Sequence, residues 1–358
     1  MQRLSRRTTR AAIVVVAAGL VGVSACAAPP DNGPASGAAA GSSTPGQPGS
    51  PTITVGTHPS DAVRTHDGQR IYLTNYDSNS VSVVNTEQNS VVATIPVGDS
   101  PERLAISPDN RQVWVANDNS DSVSVIDTAS NTVSAAIAGF HLPRGIAFTP
   151  DGRRAYVSDF GTNSVKVIDT ANLRILRSIT VGQAPGAVVA NPDGRQMYVL
   201  GNSDPGKLAV IDTVRNRVIA TVPLHDGPLR MAITPDGRRG FTANAAGSVS
   251  VFDIERRRVI ATLPMTTGPD GITMSRDGRR AYVAGTAGTV TVLDTANHQT
   301  IAQLPAPGSP QALVITPDGQ HAYVADFASN TVTVIGTGAP PSPEPAPASG
   351  SVAAGRPQ

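Results

Sequence analysis

The sequence predicts an all-β fold: a seven-bladed β-propeller with four antiparallel strands per blade, its ring closed by an N-terminal strand that completes the last blade. Three observations predict it. A D-G or D-N turn recurs at Asp67, Asp109, Asp151, Asp193, Asp236, Asp277 and Asp318, at spacings of 42, 42, 42, 43, 41 and 41 residues. After each turn comes an alternating strand with an aromatic in second place: Tyr72, Trp114, Tyr156, Tyr198, Phe241, Tyr282 and Tyr323. The last copy stops after its third strand, while Thr52-Ile53-Thr54-Val55-Gly56 has the pattern of an outer strand. A steady period of about 40 residues holding four short strands is the mark of one propeller blade.

Each element follows from local pattern. Apolar runs such as Leu104-Ala105-Ile106 precede the turns and form the first strand of each unit. Pro precedes the Asp in five copies, the exceptions being His66 and Arg276. Pro presets φ and Gly accepts positive φ, so Pro-Asp-Gly is turn chemistry and needs no catalytic reading. The third strands are β-branched, as in Val81-Ser82-Val83-Val84-Asn85, and a fourth run such as Val91 to Ile95 finishes the unit. Period-two alternation bounded by turn residues makes these strands. Thr52 to Gly56 matches the outer-strand ending Ala93 to Gly98, so it is expected to pair beside Val332 to Ile335 and close the ring.

The repeated P-D-G turn, Y-V-x-N strand and V-x-V-I-D-T strand resemble the YVTN-family propeller repeat, of the YncE-like and lactonase-like propeller superfamily. The resemblance covers about Pro51 to Thr337 in seven in-phase copies. Departures are Gly201 and Gly285 where Asn is usual, Ile254 for Thr, and Gly336 for Asp. The resemblance implies two kinds of function: lactonases that open a sugar lactone, and propellers that bind partners or ligands without chemistry.

The ends of the chain speak to location. Met1 to Arg10 is basic and Ala11 to Gly22 is an apolar run of 12 residues. That is too short to span a bilayer, which takes about 20 residues, and it has the layout of an export signal. Val23-Ser24-Ala25-Cys26 resembles the lipobox of bacterial lipoproteins, which implies lipidation at Cys26, the only cysteine in the chain. The expected organisation is a signal peptide over 1–25, a disordered Ala/Gly/Pro/Ser tether over 26–51, the propeller over 52–337 and a Pro-rich disordered tail over 338–358. A flexible tether of this length reaches on the order of 25 to 30 Å.

Composition narrows the function classes. One cysteine permits no internal disulfide and gives no cysteine-rich zinc site. The net charge is +1, and the first 25 residues hold four arginines and no acid, so the remainder is about −3, which disfavours nucleic acid. No G-x-S-x-G, H-E-x-x-H, Walker or G-x-G-x-x-G pattern is present, and no cofactor is expected.

The strand order puts the D-G turns on one face and the blade-entry loops, with the loops between second and third strands, on the other. Copies differ on that second face, as a ligand-reading surface of a repeat scaffold would. The candidate ligand-binding residues there are Asp61, Tyr76, Glu102, Arg103, Arg144, Phe160, Arg230, Asp270 and Phe327. Asp118 and Asn202 occupy equivalent loop positions. Tyr76 and Phe327, on neighbouring blades, form an expected aromatic pair beside Arg103 and Arg144, suited to a flat, sugar-like or anionic group. His58, His141 and His225 fall on this face, but on different blades, too scattered for a metal.

The expected function is a monomeric cell-envelope lipoprotein, held to the membrane by its lipid, whose propeller is a non-catalytic platform for a small-molecule or protein ligand. The alternative is a lactonase-like hydrolase using Glu102, Arg103, Arg144 and a His such as His141, which requires those groups to converge. A third reading, single-stranded nucleic acid, would want a basic stripe with exposed aromatics. Arg256-Arg257-Arg258 is the one basic cluster, and it sits on the turn face beside Glu255.

Overall fold

The computed structural model describes residues 50–203, 205–224, 227–266 and 268–338. The expected signal peptide, Cys26, tether, His225 and most of the Pro-rich tail lie outside the described residues. No helix among the described residues is long and apolar enough to cross a membrane.

Seven four-stranded antiparallel sheets follow one another along the chain. The first blade is Pro59–Arg64, Arg70–Asn75, Ser80–Asn85 and Ser90–Pro96, numbered here from the inner to the outer strand. The pattern then repeats through the inner strands Pro101–Ile106, Pro143–Phe148, Pro185–Ala190, Pro228–Ile233, Pro269–Met274 and Pro310–Ile315. The seventh blade takes its outer strand from the N-terminus. Thr52–Thr54 pairs antiparallel with Thr331–Gly336, with Ile53 opposite Val332. The closing strand is shorter than expected because the chain turns at Gly56, where a Cβ would lie 2.5 Å from the Asn75 side chain.

The D-G turns are built from the side chain of their own Asp. In six copies a Ser or Thr two residues earlier donates to it, as Thr149 does to Asp151 Oδ1 at 2.5 Å, and the amide two residues later donates as well, Arg153 N–H at 3.0 Å. These bonds hold Asp67, Asp109, Asp151 and Asp236 below the usual carboxylate range. The repeated carboxylates are therefore employed in folding.

The seams between blades rest on the aromatic of the second strand. Six of the seven are fully buried and Tyr323 nearly so. Each packs into its neighbour: Tyr72 with Leu104, Val113 and Ile126 of the second blade, Trp114 with Ile146 and Phe148 of the third. The ring's polar tip meets one residue of the next blade's outer turn, always in the left-handed region. Tyr72 Oη donates to Asn131 (φ 54°) at 2.9 Å, Tyr156 to Asn216 (φ 49°) at 2.6 Å and Tyr323 to Asn89 (φ 48°) at 2.7 Å. Asn is the side chain that tolerates this backbone best, so one residue serves turn and seam together.

Where the aromatic changes, the turn residue changes with it. Trp114 faces Leu173 (φ 59°) in one apolar cluster, and its indole N–H turns to Gln112 instead. Phe241, which has no hydroxyl, meets His298 edge-on at 6.1 Å. Two tyrosines depart from the pattern: Tyr198 donates to Gln196 of its own strand, and the buried hydroxyl of Tyr282 has no hydrogen-bond partner among the described residues. Losing a buried tyrosine hydrogen bond costs about 1 kcal/mol, and more when an acceptor is stranded. Tyr72→Phe and Tyr156→Phe should each lower the unfolding free energy from urea titration by about that amount, whereas Tyr282→Phe should leave it unchanged or raise it.

Candidate functional site

The candidate residues divide into a layer inside the central channel and a cluster on the variable face. The channel layer comes from the third place of the inner strands, occupied by Asp61, Arg103, Gly145, Ala187, Arg230, Gly271 and Ala312. Four of these are small because neighbouring inner strands crowd together there. A Cβ on Gly145 would lie 2.4 Å from the Gly186 carbonyl oxygen, and one on Gly271 2.5 Å from that of Gln311. Two arginines occupy the space left.

Arg230, from the fifth blade, crosses to the first, donating to Asp61 Oδ1 at 2.5 Å and to the Ser60 carbonyl at 2.6 Å, with Asp270 3.5 Å away. Arg103, from the second blade, donates to the Leu229 carbonyl of the fifth at 3.0 Å. Asp61 also accepts from Leu104 N–H at 3.2 Å. Burial and the neighbouring Arg230 pull the Arg103 guanidinium down to about 10. Burial works against charge at Arg230 too, but Asp61, Asp270 and Glu102 outweigh it and raise its pKa. Asp61, Arg103, Arg230 and Asp270 are thus one cross-channel network that joins opposite blades, whereas the sequence placed them on the variable face. Removing one partner of such a buried pair leaves an uncompensated charge.

The second group stays at the variable face, over the first three blades. Phe160 begins a single 3-10 turn, Phe160–Thr162, closed by Asn163 in the left-handed region. Arg144 lies flat over it, Cζ 3.8 Å from the ring centroid. Its Nε stands 3.6 Å from Asp118 Oδ1, too long for a hydrogen bond, and both atoms are buried without a partner. Burial raises the Asp118 carboxyl above its ordinary range, Arg144 opposing the rise and Glu102 adding to it. Burial also raises the Tyr76 phenol, with Asp118 and Glu102 contributing in the same direction. Tyr76, Glu102, Asp118 and Arg144 therefore share one electrostatic neighbourhood, walled by Phe160.

The expected Tyr76–Phe327 pair is not what Phe327 makes. Its ring stacks on His58, centroids 4.3 Å apart and planes within 9°, and His58 Nδ1 lies 2.5 Å from Asp77. Of the four groups of the hydrolase alternative, Arg103 leaves for the channel, while Glu102 and Arg144 stay together on the variable face and His141, by the Phe160–Thr162 turn, faces Asp121 at 3.5 Å. Among the described residues no three His, Cys, Asp or Glu are placed to hold a metal.

One pair escaped the sequence reading. Asp159 stands where the first, second and fifth blades have Asn, and Lys166 where their third strands have Ser. In the first blade Asn75 Nδ2 donates to Ser80 and Ser82 at 3.1 and 2.9 Å. In the third, Lys166 Nζ sits 2.6 Å from the fully buried Asp159 and donates to the Gly139 carbonyl beneath the Phe140 ring. The paired departure from repeat was the available signal.

Because the folded-state pKa of Asp118 is raised, its ionised form destabilises the fold. That penalty is full above the raised value and vanishes as pH falls below the unfolded value near 3.8. Asp118→Asn should therefore melt at a higher temperature than the parent at pH 7, the difference closing as the pH is lowered toward about 4.

Comparison with known proteins fits this architecture. A family model described as YNCE-like beta-propeller matches residues 50–157 and 233–323, more than half of the chain. Among solved structures, a chain of Kuenenia stuttgartiensis hydrazine synthase is 25% identical, with a TM-score of 0.73 over 78% of this chain and 96% of that one. No curated protein matches. With seven closed four-stranded blades and a family match over more than half its length, the chain belongs to the YNCE-like beta-propeller family.

Proposed function

We propose that this propeller is a non-catalytic binding platform of the cell envelope, anchored through a lipid on Cys26, and that it takes a polar, sugar-like ligand on the variable face over its first three blades. The observation that carries the reading is the Arg144–Asp118 pair. A buried carboxylate and a guanidinium that stays 27% exposed are held 3.6 Å apart, their facing Oδ1 and Nε atoms without a hydrogen bond, beside an aromatic ring. Buried polar atoms left unsatisfied are costly in a fold and are answered when a ligand supplies hydroxyls. Aromatic walls beside a few convergent polar groups are how small sites fix a flat ligand.

Binding is favoured over hydrolysis because Arg103, one of the groups the hydrolase alternative would use, is fixed to the Leu229 carbonyl inside the channel. Among the described residues no hydroxyl or carboxylate stands within hydrogen-bond reach of His141 other than the exposed Asp121 at 3.5 Å. A general base must stand within hydrogen-bond reach of the proton it takes.

Soluble peptidoglycan fragments, a sugar lactone and single-stranded DNA, titrated calorimetrically, separate the readings. The fragments should bind, and Arg144→Ala and Phe160→Ala should each weaken them about ten-fold. Turnover of the lactone, or binding confined to DNA, would contradict the proposal. Cys26→Ser should move the protein from the membrane fraction to the soluble one, since lipid chains supply the anchoring.

A further inference from the structure

The Arg230–Asp61 bridge closes off a cavity that the variable-face reading does not use. The cavity runs from that bridge toward the D-G turns, with a volume of about 340 Å³. Its lining is mixed: the side chains of Val63, Ile106, Met274, Val314 and Ile315 form one apolar strip, and backbone groups with Asp61, Arg230 and Thr273 supply the polar remainder. A second lobe of about 180 Å³ reaches the same bridge from the side of the second to fourth blades. Val63, Ile106, Thr273 and Met274 are only partly buried, so the apolar strip remains open to solvent. At the turn-face end stand Arg64 and His66.

The mouth is also where the repeat is broken. At the place of Arg64 the other copies carry Ile106, Phe148, Ala190, Ile233, Met274 and Ile315. Where five copies have Pro before the turn Asp, the first has His66 and the sixth Arg276. His66 is explained locally: its amide, which Pro would lack, donates to Asn110, the residue that replaces the turn Gly in the second blade, at 3.1 Å. Arg64 spends Nε and Nη1 on the carbonyls of Ile315, Thr65 and His66, which leaves Nη2 for a ligand, and nothing comparable accounts for the exposed Arg276. Among the described residues neither arginine forms an ion pair. Burial, and then Arg276, lowers the Arg64 pKa, with only Asp67 opposing. The two cations thus repel one another at the mouth of the hollow.

We propose that the turn-face mouth of the channel is a second binding site, for a small amphipathic anion whose apolar body enters between Val63 and Met274 and whose carboxylate lies between Arg64 and Arg276. A cavity of this size is at the lower end of small-molecule sites, which selects a short chain or a single ring. Charge at the rim and an apolar strip below order the ligand head outward. The site shares no exposed residue with the variable-face cluster, so each stands or falls without the other.

The test uses the full chain labelled with 13C at its methionine methyls, with octanoate as the probe. Met274 lines the cavity, whereas Met197 and Met265 sit in blade cores and report on folding. Octanoate should shift the Met274 methyl and leave the two references still, while octylammonium and octanol should not reproduce the shift. Restoring the repeat with Arg64→Ile and Arg276→Pro together should weaken octanoate about ten-fold. If the reference methyls move in that variant, Arg276→Gln alone answers the same question and should weaken octanoate in the same direction. A silent Met274, equal shifts with octanol, or octanoate binding unchanged once the arginines are removed would each overturn the site.

Discussion

Five of the seven seams of this ring rest on one contact, an aromatic from the second strand of one blade reaching the left-handed residue in the next blade's outer turn; Tyr198 turns instead to Gln196 of its own strand and Tyr282 has no partner among the described residues. The aromatic fills the space between two sheets that cannot bury their faces alone. Its polar tip then meets a backbone conformation most L residues avoid. The pairing is specific enough to be followed around the ring: Tyr with Asn131, Asn216 and Asn89, Trp114 with Leu173, Phe241 with His298. Arginines at the start of the second strands reinforce it, as Arg70 and Arg154 donate to the carbonyls of Thr128 and Thr213. The seventh seam is made the same way, Tyr323 to Asn89, so the ring closes with the chemistry of its interior.

A ring held at its seams leaves the inner strands free to vary, and they carry the asymmetry. Gly145 and Gly271 let adjacent strands approach, and the two arginines that cross the gap tie the fifth blade to the first and second. This plug divides the channel. Above it, the variable face keeps Arg144 on Phe160 beside a strained carboxylate; below it, a hollow with an apolar strip opens under Arg64. The repeated turns are structural, and the charged side chains gather at inner-strand positions where the copies differ from one another.

The architecture was legible because periodicity survives in one dimension: the turn Asp, the aromatic and the β-branched strand recur whatever the neighbours are. Strand order and the N-terminal closure followed from the same pattern. The site was legible only as a face. Sequence placed Arg103 and Arg144 alike on the variable face, yet one reaches inward from the second blade to the fifth and the other lies on Phe160, because the first sits at the inward-pointing third place of its strand and the second one place before it. Pairings between blades, such as Arg230 with Asp61, join residues 169 positions apart and leave no local trace. Phe327 was read as a partner for Tyr76, but His58, held in the left-handed region by the turn at the closure, comes to it first.

The claim that the aromatic contacts hold the ring is tested most directly by native-state amide hydrogen exchange, resolved seam by seam. The account predicts that the seam between the sixth and seventh blades opens first, because Tyr282 alone brings a hydroxyl with no partner among the described residues. The seams closed by Tyr72, Tyr156 and Tyr323 should exchange only through global unfolding. Earliest opening between the seventh and first blades, or equal protection at all seams, would contradict it.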